Sequence, residues 1–154
     1  MENLSTREAT INDLEALLRF EQGIIAAERP FDITLKDGHI NYYDIGAMIT
    51  APDIAVMVAE LNGELIGSGY ARIESAKPYL KHEKYAYLGF MFVVPEYRGK
   101  GVNQNIIKAL QQWCTAQNII EMRLEVYNDN LPAIKAYEKL GFEKLMLEMR
   151  MPVG

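Results

Sequence analysis

Cysteine is almost missing from this chain. Cys114 stands alone, which excludes an intramolecular disulfide and suits a reducing compartment. A surplus of positive charge is missing too: sixteen Lys and Arg face twenty-one Asp and Glu, for a formal net charge of -5. That balance argues against tight nonspecific binding of nucleic acid while leaving room for a local basic pocket. No apolar run approaches the roughly 20 residues that cross a bilayer, and the start Met1-Glu2-Asn3-Leu4 lacks the basic and apolar regions of a signal peptide. A cytoplasmic protein that does not engage membranes or nucleic acid is therefore expected. His39 and His82 have no Cys or carboxylate at metal-ligand spacing, so no metal is expected, and no Gly-x-Ser-x-Gly elbow offers a nucleophile. Repeats and low-complexity tracts are absent, and 154 residues with 49% hydrophobic composition suit a single domain spanning 1–154.

What is present alternates between strand and helix patterns. Leu4 to Arg7 reads as a short first strand, after which Thr10 caps a helix with Asp13 in its first turn and Leu14, Leu17, Leu18 and Ile25 on one face. Pro30 stops that helix near Glu28, and Tyr42 to Ile49 reads as a second, short helix. Ile54 to Leu61 and Glu64 to Glu74 flank Asn62-Gly63, the strongest hairpin signal in the chain, and Tyr85 to Val94 continues the sheet. Val102 to Gln117 carries the helical stripe Ile106, Leu110 and Trp113, with Cys114 expected to pack in the core beside it. Met122 to Tyr127 alternates as a strand, Leu131 to Leu140 is helical up to Gly141, and Glu143 to Met151 alternates again as a final strand that could pair or swap at an edge. The order implies an α/β or α+β architecture.

Between the strand ending at Val94 and the helix starting at Val102 lies Pro95-Glu96-Tyr97-Arg98-Gly99-Lys100-Gly101. Pro95 cannot donate to a sheet ladder, the glycines let main-chain N–H groups approach a ligand, and a helix N-terminus attracts anions. Two nucleotide signatures fail here. The triphosphatase loop needs four residues between its glycines followed by Lys-Ser or Lys-Thr, and the dinucleotide fingerprint needs a third glycine where Gln104 stands.

Arg98-Gly99-Lys100-Gly101-Val102-Asn103 instead resembles the acyl-CoA motif of the GCN5-related N-acetyltransferase (GNAT) superfamily, Arg/Gln-x-x-Gly-x-Gly/Ala. Glu125-Val126 and the run Asn130 to Phe142 resemble its second CoA-side motif, in the right order and at the right spacing. Asn103 departs from the pattern, standing where Gly or Ala is usual; its side chain would crowd the diphosphate or donate to it. The resemblance implies a mixed, largely antiparallel twisted sheet flanked by helices on both faces, with acetyl-CoA as cosubstrate.

By the same resemblance, Gly99, Lys100, Gly101, Val102, Asn103 and Gln104 would hold the diphosphate together with Arg98, and the backbone of Met91, Phe92 and Val93 would meet the pantetheine arm with Asn130. Asn130 equally suits a helix N-cap. Tyr137 resembles the general acid that meets the departing thiolate, though its spacing also suits a core aromatic, and Glu125 resembles a general base, with a solvated or ion-paired strand carboxylate as the plain alternative. Glu21, Glu28, Asp32 and Asp44 lie where such proteins build the acceptor pocket, and Tyr42, Tyr43, Tyr85 and Tyr87 would line it or a dimer surface. The activity implied is direct transfer to the primary amine of a small metabolite. A protein N-terminus or lysine is the second acceptor considered, and a non-catalytic acyl-CoA sensor the alternative of another class. A homodimer is a further expectation carried by the resemblance.

Overall fold

Asn62 and Gly63 both take left-handed backbone angles, φ 51° and 83°, the geometry that a two-residue hairpin turn requires. In the computed structural model, which describes residues 2–154, that turn joins the second and third strands of a sheet built from β1 (Leu4–Glu8), β2 (Ile54–Leu61), β3 (Glu64–Ser75), β4 (Lys84–Val93) and β5 (Met122–Leu124). The strands lie in sequence order, antiparallel throughout except for the parallel pair β4 and β5. The largely antiparallel mixed sheet with helices on both faces is thus present.

Strand alternation divides β2 between two cores. Val56 and Val58 point to the side covered by α1 (Leu14–Glu28) and α2 (Ile45–Thr50), where they meet Leu17, Phe20, Ile24, Ile45 and Met48. Ala55, Met57 and Ala59 point to the opposite side, against Val102, Ile106, Leu110 and Cys114 of α3 (Val102–Ala116). Gly67 of β3 sits under that helix; a Cβ there would come within 2.9 Å of Ile106. The last helix, α4 (Leu131–Lys139), has no fully buried residue.

Several boundaries differ from the sequence reading, each for a local reason. A 3-10 turn, Ile11–Asp13, precedes α1, and the Thr10 amide donates to the Asp13 carboxylate at 2.8 Å. Arg7 grips the same carboxylate with both terminal nitrogens at 2.8 and 3.0 Å, tying β1 to the helix start. Leu18 is 43% exposed, because the buried stripe follows Leu17, Phe20, Ile24 and Ile25. The second helix begins at Ile45 rather than Tyr42: Glu21 draws the amides of Tyr42 and Tyr43 out of helical pairing, and Asp44 caps the helix through the Ala47 amide.

Two strand expectations need larger correction. β5 ends at Leu124 rather than Tyr127, because β4 pairs with it only through Ala86, Tyr87 and Leu88 and then diverges. Glu143 to Met151 forms no strand at all. Leu145, Met146, Leu147, Met149 and Met151 are exposed, and Arg150 ties the segment to the Asp32 carboxylate at 2.8 Å and to the Thr34 hydroxyl at 2.9 Å.

The divergence of β4 begins at a bulge. Register passes from Ser68 opposite Phe92 to Tyr70 opposite Gly89, so Phe90 and Met91 share the space across from Gly69. Phe90 takes φ 57°, uncommon for a residue with a side chain, while its ring is buried and the Ser68 hydroxyl donates to its carbonyl at 3.0 Å. Side-chain packing and this buried hydrogen bond hold the left-handed residue in place.

Candidate active site

Past Leu88 and Leu124 the parallel strands part, leaving Met91, Phe92 and Val93 on a stretch of β4 with β3 on one side and no β5 partner on the other. The chain then passes through Pro95–Tyr97 into the glycine turn. Gly99 and Gly101 take φ 74° and 84°, and a Cβ at either would meet nothing within 4 Å, so backbone conformation rather than crowding demands glycine. Gly101 occupies the N-cap of α3 without a side-chain cap. Among the described residues, no protein acceptor takes the main-chain N–H groups from Gly99 to Gln104; the first helical bond is from Asn105 to the Gly101 carbonyl, 3.1 Å. A row of unpaired donors at the positive end of a fifteen-residue helix is an anion cradle.

The side chains around the cradle take different settings. Lys100 is exposed beside it, whereas Arg98 folds back to donate to the Val93 carbonyl at 3.0 Å, its guanidinium 5.8 Å from the Phe92 ring. Asn103 is half-buried in the first turn of α3, and Gln104 is exposed. Asn130 is the N-cap of α4, its side-chain oxygen accepting from the Ala133 amide at 3.4 Å.

At the mouth of the opening, the Tyr87 hydroxyl donates to the Glu125 carboxylate at 2.8 Å. Burial, reinforced by that carboxylate, pushes the Tyr87 phenol well above its ordinary range, so it remains a donor. Glu125 has no cationic partner among the described residues and is exposed. Tyr137 is half-buried on α4 with Phe142 edge-on at 5.8 Å, and burial, aided by the Glu28 charge, pushes its phenol up to about 12. Glu28 is half-buried at the end of α1, and desolvation raises its own pKa. The Tyr42 hydroxyl lies close to it without completing a well-formed hydrogen bond.

Other sequence candidates take different places. Glu21 is fully buried, and one of its oxygens accepts from the amides of Tyr42 and Tyr43 at 2.7 and 2.8 Å, so it braces the loop before α2 rather than facing an open pocket. Tyr85 lies under the Arg123 guanidinium at 4.8 Å, towards the far end of β4. Asp32 is bound up with Thr34 and Arg150, and Asp44 caps α2. Cys114 is buried, its thiol pushed up to about 11 by desolvation.

Sequence reasoning missed Tyr70 and Arg72. Both lie on β3 on the same face as Tyr87, with Tyr70 opposite Gly89 and Arg72 opposite Tyr87. Gly89 is required there: a Cβ would come within 2.5 Å of the Tyr70 ring. Tyr43 packs edge-on against Tyr70 and Phe90, closing an aromatic wall. The signal was the same-face series Tyr70, Arg72, Glu74, legible once the β3–β4 register is known. A shallow groove elsewhere, lined by Leu4, Thr6, Asn105, Lys108 and Gln112, contains none of these residues.

The Acetyltransferase (GNAT) family matches residues 15–142. An N-alpha-acetyltransferase of Sulfolobus acidocaldarius is 28% identical over 153 residues, covering 94% of this chain and 83% of that protein. An acetyltransferase of Pectobacterium atrosepticum is 34% identical over 92 residues, 60% of this chain and 59% of its own. In structure, a tetramutant of the BH1408 protein of Bacillus halodurans superposes with a TM-score of 0.87 at 19% identity, over 97% of this chain and 99% of the other. An aminoglycoside N-acetyltransferase, AAC(6')-Iy in complex with CoA, superposes at 0.71 and 22% identity over 97% of this chain and 100% of the other.

Proposed function

The chain belongs to the Acetyltransferase (GNAT) family, and from that premise we propose that it transfers acetyl from acetyl-CoA directly to the primary amine of a small metabolite, with both reactants bound at once. The observation that carries this reading is the cradle of unpaired N–H groups from Gly99 to Gln104 standing at the end of the strand that opens away from β5. An anion held there directs a thioester along Met91, Phe92 and Val93 towards the mouth where Glu125 meets Tyr87.

The residues then divide the proton work. Glu125, with the Tyr87 hydroxyl fixing one oxygen, receives a proton from the acceptor ammonium, freeing the lone pair that forms the C–N bond. As the C–S bond breaks, the nitrogen sheds its second proton to solvent and the sulfur leaves as a thiolate towards Tyr137. A thiolate whose conjugate thiol has a pKa of about 8.5 cannot take a proton outright from a phenol near 12 at little cost. Tyr137 therefore stabilises the thiolate with a hydrogen bond, and solvent completes protonation. Alignment of two bound reactants supplies much of the rate. An acyl-enzyme is disfavoured because the sole cysteine is buried and far from thiolate character at neutral pH.

Isothermal titration with acetyl-CoA, followed by initial-rate thiol release across an amine panel, tests the reading. Binding with intersecting double-reciprocal lines supports direct transfer. Parallel lines would contradict it, and binding without turnover of any amine would favour an acyl-CoA sensor. The likeness to N-alpha-acetyltransferases over 94% of the chain favours a second reading, a protein N-terminus as acceptor, so short peptides belong in the same panel.

A further inference from the structure

We propose that Arg72 is the anion anchor of the acceptor site, and that the acceptor is a primary amine carrying a carboxylate a few bonds from its nitrogen. This deepens the acetyltransferase reading above and rests on it. Arg72 lies directly across from Tyr87 on the face that carries the Tyr87–Glu125 hydrogen bond. The guanidinium and the Glu125 carboxylate are thus separated by one tyrosine ring, with the Arg72 carbon 5.2 Å from its centroid. A zwitterion laid along that ring would meet a carboxylate at its ammonium end and a guanidinium at its carboxylate end.

The guanidinium is held in a way that leaves part of it free. Its Nε is engaged by Glu74, and its plane rests near the Tyr70 ring at 5.6 Å as well as Tyr87. Of the terminal nitrogens, Nη1 has only the Tyr70 hydroxyl at 3.5 Å, and Nη2 meets no acceptor among the described residues. The side chain is 39% exposed, so a ligand can reach that edge. A planar fork held by one carboxylate at Nε beside two aromatic rings, with its terminal nitrogens largely unengaged, suits a second carboxylate. The same placement works against polycationic acceptors, since Arg72 already covers the tyrosine faces that a second ammonium would use and adds like charge. Were Arg72 only a surface ion pair, Glu74 would satisfy it and the acceptor's charge would not matter to turnover.

The test uses matched acceptors, β-alanine, 4-aminobutyrate and glutamate, each against its carboxamide, with thiol release measured at saturating acetyl-CoA and rates referred to free amine. The carboxylate is expected to exceed its amide by at least about tenfold in kcat/KM. That ratio should collapse towards unity in Arg72→Met and survive in part in Arg72→Lys, with calorimetric acetyl-CoA affinity reporting that each variant is folded. Parity in the parent protein, a ratio that persists in Arg72→Met, or turnover only of polyamines or uncharged amines overturns the anchor while leaving the transferase intact. Failure of the parent protein to bind acetyl-CoA overturns the transferase reading and the anchor with it.

Discussion

Replacing Tyr137 by Phe removes one oxygen from the face of α4 and leaves the ring beside Phe142, whose centroid lies 5.8 Å away. The effect follows from the phenol's environment. Burial and the Glu28 charge push its pKa up to about 12, roughly 3.5 units above an ordinary thiol, so complete proton transfer would be uphill by about 5 kcal/mol. In the proposed mechanism the hydroxyl then supplies a hydrogen bond to developing negative charge, worth about 1.5–3 kcal/mol. Tyr137→Phe should accordingly lower kcat by about 10- to 100-fold while acetyl-CoA affinity and thermal stability stay close to those of the parent. The pH profile adds a second constraint, because a phenol titrating near 12 cannot create an alkaline limb between pH 8 and 9. Single-turnover thiol release measured from pH 6 to 10 is the suitable assay. Parent-like kcat in the variant with normal acetyl-CoA binding would refute the role, and an alkaline limb near pH 8.5 that disappears in Tyr137→Phe would refute the burial argument.

Three further outcomes follow from other sites. Gly101→Val places a β-branched residue at φ 84° at the N-cap of α3, costing on the order of 1–2 kcal/mol and distorting the cradle; calorimetry should show acetyl-CoA affinity reduced more than tenfold, and undiminished binding would remove the cradle. Glu28 has a pKa raised by burial, so the folded state holds its proton more tightly than the unfolded chain and stability is lost as pH rises from about 4.5 through the raised value. Glu28→Gln should therefore melt higher than the parent at pH 7 and nearly equal to it at pH 4. Asp13 is lowered chiefly by its hydrogen bond to Arg7, so its contribution is present above the unfolded value of 3.8 and fades as pH falls through the lowered one. Asp13→Asn should cost about 1–3 kcal/mol in urea unfolding at pH 7, a figure kept modest because the Arg7 side chain is 37% exposed, and progressively less as pH falls below 3.8.

The elements legible in the sequence were those whose signal is local. Asn62-Gly63 announced its hairpin, Pro30 ended α1 at Glu28, and the glycine turn marked the start of α3, because each depends on backbone angles that few residues tolerate. Glu143 to Met151 shows the limit of such reading. Its period-two pattern is suited to a strand, yet a strand needs a partner edge, and β5 offers only Met122–Leu124 before the chain leaves the sheet. Glu21 likewise could not be placed from its position on the α1 stripe. Only the fold brings Tyr42 and Tyr43, more than twenty residues on, to its carboxylate and turns a candidate pocket residue into a buried brace. Tyr70 and Arg72 escaped notice for the same reason, since their importance lies in a cross-strand register with Gly89 and Tyr87.

The bulge at Phe90 connects these observations. Before it, Ala86 and Leu88 pack towards α3 and Tyr87 towards α1; after it, Met91 and Val93 pack towards α3 while Phe90 and Phe92 join the α1 side. One extra residue has inverted the parity of the strand, so no single alternation read through residues 84–93 could assign both halves. The same extra residue bends β4, which accounts for pairing with β5 ceasing at Leu88 and Leu124. Had β4 continued straight, β5 would cover the main chain of Met91 to Val93, and Glu125 would lie within a ladder instead of at an open mouth beside Tyr87. The uncovered main chain of Met91 to Val93 and the exposed Tyr87–Glu125 pair therefore share a structural cause, and it is held by the buried hydrogen bond from Ser68 to the Phe90 carbonyl.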